Sequence, residues 1–279
     1  MKPLYESILD VDFDGDDEAV KLEAARAVAI QAGYGEDGLD ITFSENNTRM
    51  DIYWPGRQRR EFITGDLIGG VKRSGINAIT FEKHCTFTYL PDTISDMNIF
   101  CHDNIHMGPV GAFTKKVQLK NTNITSLTNL KFEHTNLILD SKSQLDSTRL
   151  ALWFDSQITV KSRKNLKVNE IVIFEPARLY RLRLKRMGLF DLYNGDNDFS
   201  QYDAEQFSNI NPAKAIFGID YSGLYRIVVV SDMNGSMNGT GLVFIKNFMC
   251  STASHILQSY KMDDGWACYI CKNPIYETY

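Results

Sequence analysis

Hydrophobic and polar positions alternate with a period of two through much of the chain, most clearly in VQLKNTNITSLTNLKFEHTNLIL, residues 117–139. Val117 and Leu119 alternate, Ile124 and Leu127 follow after Asn121 and Asn123, and the pattern restarts at Leu130 and Phe132 to end at Leu137 and Leu139. Such alternation marks strands with one buried face, and the asparagines mark bends because their side chains hydrogen-bond a turning backbone. Similar pairs occur at Ile79/Phe81, Met97/Ile99, Val117/Leu119, Leu130/Phe132, Leu150/Leu152 and Ile171/Ile173. Every step but one is close to the repeat length of about 20 residues at the lower end of the leucine-rich range. A unit of strand, bend and strand cannot bury its apolar side alone, so this beat predicts stacked copies over residues 76–186. The step from Val117 to Leu130 is too short and is the irregular one. An ordinary antiparallel β domain is the competing expectation.

Elsewhere the pattern changes period. DEAVKLEAARAVAIQAG places Val20, Ala24, Ala27 and Val28 at helical spacing, with acids at its start and Gly33 at its end, and predicts a capping helix. LDITF and MDIYW flank the turn-prone SENNTR as a hairpin, so residues 17–75 read as helix plus hairpin. The passage PGRQRREFITGDLIGGVKRSG, residues 55–75, is broken by glycines and reads as loop-rich. ARLYRLRLKR sets Leu182 and Leu184 against Arg181, Arg183 and Lys185 and reads as a closing strand with a basic outer face. Residues 187–212 are aromatic, acidic and rich in turn formers, a linker before a small α+β unit at 213–279. In that unit LYRIVVV and GLVFIKNF flank a long loop, a short helix is expected near STASHILQSYK, and WACYICK is a final strand. The fold class expected is mainly β with some α: a strand-stacked solenoid followed by a small α+β domain.

Composition narrows the function. A chain of 279 residues with 43% hydrophobic and 23% charged residues holds a large core, and its net charge of -5 argues against a surface built for nucleic acid. The opening MKPLYESILDVDFD has no charged segment leading into an apolar one, and no run of about 18 apolar residues occurs. This predicts no signal peptide and no membrane span, and a protein that is cytoplasmic or carried in a virion. The five cysteines are expected as thiols rather than a disulfide framework.

Candidate chemistry is sparse. Cys268 and Cys271 have metal-ligand spacing, and Cys250 with His255 would complete a tetrahedral zinc set; a packed thiol pair is the plainer expectation. Asp10, Asp12 and Asp14 with Gly15 match the start of a calcium loop, but its twelfth position is Lys21 where a bidentate carboxylate is required. Neither zinc nor calcium is therefore expected as a resident cofactor. His84-Cys85 and Cys101-His102 are separated by close to one repeat, with His106 nearby, so a stacked ladder of thiols and imidazoles is expected. Two basic clusters, Arg57/Arg59/Arg60 and Arg181/Arg183/Lys185, suit phosphate or an acidic protein partner, and in an acidic chain the acidic partner or a plain solvated face is the preferred expectation. No Gly-x-Ser-x-Gly elbow occurs and no catalytic residue is assigned.

Two resemblances add to this. VQLKNTNITSL resembles the leucine-rich repeat consensus, with Val117, Leu119, Ile124 and Leu127 in its apolar slots, although the usual asparagine is missing from most copies. A right-handed β-helix is the alternative stack. LYESILDVDFD resembles a short leader of proteins from Bacteroides-type gut bacteria and their tailed phages. That resemblance implies a docking peptide, with Leu4, Tyr5 and Ile8 as its apolar contacts. The expected function is a non-enzymatic protein-binding or structural role in a phage-related assembly, as partner complex or homo-oligomer. A zinc-stabilised domain or metal enzyme and a carbohydrate-binding adhesin are the alternatives.

Overall fold

The computed structural model describes residues 17–34, 38–56, 59–108, 113–193, 205–231, 240–247 and 256–272. The expected leader at 1–16, with Leu4, Tyr5, Ile8, Asp10, Asp12 and Asp14, lies outside them, as do Arg57, Cys250 and His255.

The expected helix forms as α1 (Glu18–Ala32), opened by Asp17, whose carboxylate accepts from the Ala19 amide at 2.9 Å. Its small residues Ala24, Ala25, Val28, Ala29 and Ala32 are the buried ones. The short β1 (Gly33–Tyr34) follows, and then the expected hairpin, β2 (Asp40–Ser44) and β3 (Arg49–Tyr53). The passage read as loop-rich is instead β4 (Arg60–Ile63) and α2 (Thr64–Arg73). Its glycines were misleading because one serves packing. A Cβ on Gly70 would stand 2.5 Å from a Val28 methyl, so glycine lets α2 close onto α1. Leu67, Ile68 and Val71 bury the inner side of α2.

The middle of the chain is almost all strand: β5 (Ala78–Phe81), β6 (Cys85–Thr88), β7 (Thr93–Ser95), β8 (Asn98–Cys101), β9 (Ile105–Met107), β10 (Lys115–Lys120), β11 (Asn123–Ser126), β12 (Asn129–Glu133), β13 (Thr135–Leu139), β14 (Gln144–Trp153), β15 (Gln157–Thr159) and β16 (Leu166–Glu175). They pair in parallel as three ladders. One runs β3-β5-β8-β11-β14, a second β4-β6-β9-β12-β14, and a third β7-β10-β13-β15. The first two share the long strand β14, with β16 beyond it, and both sheets are open. Ile99, Ile124 and Leu145 lie at equivalent positions in the first ladder. Ile105, Leu130, Leu150 and Ile171 do so in the second, and Ile94, Leu119 and Leu139 in the third. All are buried, so one core runs between the ladders. The short step from Val117 to Leu130 is thereby accounted for. Val117 pairs with Leu137 in the third ladder and Leu130 with Leu150 in the second, so the two belong to different sheets.

ARLYRLRLKR is not a strand but α3 (Ala177–Met187), ended by Gly188 in the left-handed conformation at φ 73°. Tyr180, Leu184 and Met187, at i, i+4 and i+7, are its buried residues. After α4 (Pro212–Phe217) come β17 (Arg226–Ser231), β18 (Thr240–Lys246), β19 (Ile256–Lys261) and β20 (Trp266–Lys272). The described part of STASHILQSYK is thus strand rather than helix. β17 pairs in parallel with β16, and β18, β20 and β19 extend the sheet antiparallel. The molecule is mainly β with few helices, and no helix among the described residues is long and apolar enough to cross a membrane.

Candidate functional site

A ladder places one side chain from each strand in a row across the sheet. In the second ladder Cys85, Ile105, Leu130 and Leu150 point inward and are buried, so the positions one before and one after them face out. The preceding positions are His84, Asn104, Asn129 and Arg149, joined by Arg59, which precedes Arg60, the partner of Cys85. The following positions include His106, Lys131, Ala151 and Val172. These two rows, with Ile105 and Trp153, line a cleft of about 410 Å³.

Its polar groups are held in place by their neighbours. The Asn104 side-chain oxygen accepts from Asn129 Nδ2 and Thr128 Oγ1, both at 2.7 Å. Arg149 Nε donates to Glu170 at 2.8 Å, and the same carboxylate accepts from Arg226, which ties β14, β16 and β17 together. Lys131 Nζ lies 3.5 Å over the Trp153 ring and 2.7 Å from Glu133. His106 Nε2 is 3.3 Å from Glu133 without the alignment of a hydrogen bond. Burial raises the Glu133 pKa, but the proximity of His106 and Lys131 outweighs it and brings the carboxyl down to about 2. His84 moves the other way from its usual role as a cation. Burial foremost, then Arg59, His106 and Lys131, lower its pKa against the pull of Asp103, so it is neutral at pH 7.

The residues singled out from the sequence meet different fates. His84, His106 and Arg59 come together in the cleft. Arg60 is buried, with its guanidinium 6.0 Å from the Trp54 ring. Cys85 and Cys101 sit with sulfurs 3.9 Å apart in the core, and burial pushes the Cys85 thiol well up. His102 lies outside that contact, 3.4 Å from Glu82. The second basic cluster is dispersed around α3. Arg183 is bonded at 2.7 and 2.9 Å to the buried Glu175, while Arg181 and Lys185 are exposed. Cys268 and Cys271 share β20 but, being an odd number of positions apart, face opposite sides of the sheet: Cys268 is in the main core and Cys271 packs on the separate cluster of Val172, Val228, Val230, Val243 and Ile245. Among the described residues no group of three or more His, Cys, Asp or Glu side chains is placed to hold a metal ion.

Lys131, Arg149 and Trp153 were missed from the sequence. The signal lay in the ladder spacing: Arg59, His84, Asn104, Asn129 and Arg149 recur at steps that alternate between 25 and 20 residues, a row of polar side chains each preceding an inward one. A scan of the chain against protein-family models, and searches of the curated proteins and of the solved structures, return no match.

Proposed function

We propose that this chain is a binding protein, a strand-stacked solenoid whose recognition surface is the cleft on the outer face of its second ladder. Parallel pairing between successive strands 20 and 25 residues apart, as from Cys85 to Ile105 and from Ile105 to Leu130, supports the stack. From β5 to β15 the described elements are strands alone, which favours a β-helix-like stack over a leucine-rich one with a helical segment in each repeat. The observation that carries the function is the cleft itself. Its 410 Å³ fall within the range of roughly 300–1,000 Å³ usual for small-molecule sites, and its convergent polar groups stand beside an indole. A concave site of this size favours a compact ligand over a flat protein contact. The resemblance of LYESILDVDFD supports a setting in a phage particle or phage-related assembly.

Ligand-observed NMR against a fragment library tests the reading. Fragments are expected to compete for one site on the native chain, to be lost from Ala151→Trp, which fills the cleft, and to be recovered chemically unchanged. Retention of every hit by a folded A151W variant, or conversion of a bound fragment, would sink it.

A further inference from the structure

The walls of the cleft carry charge of one sign. Arg59, Lys131 and Arg149 line it beside two imidazoles and two carboxamides, and no carboxylate is among the described lining residues. The acids that balance these cations, Glu61 at 3.4 Å from Arg59, Glu133 and Glu170, are not part of the lining. One buried nitrogen of the cleft, His84 Nε2, has no hydrogen-bond partner, whereas His106 Nε2 stands 3.3 Å from the Glu133 carboxylate. An unpaired buried polar atom is destabilising, so a ligand that bonds it relieves a cost already present in the fold. His84 and His106 stand on neighbouring strands about 4.8 Å apart but offset by two positions along them, since His106 pairs with Thr86, so a ligand that touches both lies across that diagonal. Ile105, Ala151, Val172 and Trp153 supply an apolar floor beside them.

Taking the cleft as the recognition surface proposed above, the geometry points to a small anion bearing a flat ring as its ligand. Its carboxylate or phosphate group sits among Arg59, His84, His106 and Lys131, and its ring lies against Ala151, Val172 and Trp153. An uncharged ligand of the same shape forgoes the charge-assisted hydrogen bonds, which are stronger than those between neutral groups. The anion also favours the protonated form of His84, which is faced by the cations Arg59 and Lys131, by His106, and by Asp103 as the one opposing charge. For a carboxylate, which keeps its charge in that range, binding therefore tightens as the pH falls towards the lowered value of His84, whereas a phosphate monoester loses charge below about pH 6.

Isothermal titration calorimetry of the full chain with two matched pairs, nicotinate against nicotinamide and uridine 5′-monophosphate against uridine, tests this. At least one charged member is expected to bind about tenfold or more tightly than its uncharged counterpart. Which pair shows the difference tells a carboxylate from a phosphate. Arg59→Ala, at a half-exposed position, is expected to lose about tenfold in affinity with an unchanged melting temperature, and His84→Gln to remove the tightening in acid. Equal affinity within both pairs, or R59A binding like the native chain, overturns the anion while leaving the cleft as a site. Failure of all four compounds while fragments still compete at the cleft overturns the anion alone. Failure of the compounds together with fragment hits that persist in A151W removes both readings.

Discussion

Glu133 is held as a carboxylate by its surroundings, and its titration is a direct readout of them. Its pKa, about 2 in the fold against 4.5 ordinarily, means that the folded chain binds fewer protons there than the unfolded chain between those values. The stabilisation is complete above pH 4.5 and is lost as the pH falls through 4.5 towards 2, with an upper limit of about 3 kcal/mol at 1.36 kcal/mol per unit. Urea denaturation of the native chain and Glu133→Gln, compared at pH 7 and pH 3, is expected to show a variant weaker by about 2–3 kcal/mol at pH 7 and a smaller gap at pH 3. A gap that does not change with pH would show that the carboxylate is not held by Lys131 and His106. His84 acts in a higher window: its lowered pKa means stability falls as the pH drops below 6.5. Other features at this scale are hidden from sequence. Tyr89, His134 and Phe154 end strands with positive φ angles of 50°, 47° and 61°, a conformation that costs a side-chain-bearing residue about 1–2 kcal/mol. Asn121, also at a positive φ of 48°, was legible as a bend because asparagine tolerates it. His134 was not, since its conformation is fixed by neighbours distant in sequence: it stacks on Phe154 at 4.8 Å and lies 2.8 Å from Asp155.

At the scale of elements, α3 shows why alternation misleads. Leu182 and Leu184 against Arg181, Arg183 and Lys185 fit a period of two, yet Tyr180, Leu184 and Met187 fit 3.6, and only the latter set is buried. Burial is decided by what α3 packs on, which a local window does not contain. The same packing commits Arg183 to Glu175, whose side chain is 3% exposed at the end of β16. Removing the guanidinium leaves a carboxylate buried without its partner, a change that typically costs about 3–5 kcal/mol. Arg183→Ala is expected to lower stability by about 3 kcal/mol in chemical denaturation, and adding Glu175→Gln to restore about half of it. Lys185→Ala, on the exposed side of the same helix, is expected to shift it by no more than about 0.5 kcal/mol. Equal effects of R183A and K185A would mean that α3 does not dock through this pair. The glycine-broken passage at 55–75 failed for a related reason: Gly70 is small because Val28 stands against it, not because the chain turns there.

For the whole molecule, period-two strands were legible, whereas the assignment of each strand to a ladder was not. Val117/Leu119 and Leu130/Phe132 look like successive copies of one unit along the chain, and only pairing shows them in different sheets. The cleft shares that origin, because its residues come from separate strands and become neighbours only once the register is set. Pairing also bears on how the C-terminal region is held. β17 continues the sheet directly from β16, with Ile227 beside Ile171 and Val229 beside Ile173, and Arg226 bonds Glu170 across the same boundary. A chain ended at residue 211 therefore leaves the β16 edge unpaired, with Ile171, Val172 and Ile173 along it, an open edge of the kind that pairs with other chains. The full chain is expected to melt in a single transition by calorimetry, and the 1–211 fragment to self-associate in size-exclusion chromatography. A soluble monomeric fragment, together with two separated transitions in the full chain, would show instead that residues 213–279 fold as a unit of their own and that the β16–β17 pairing contributes little to holding the sheet together.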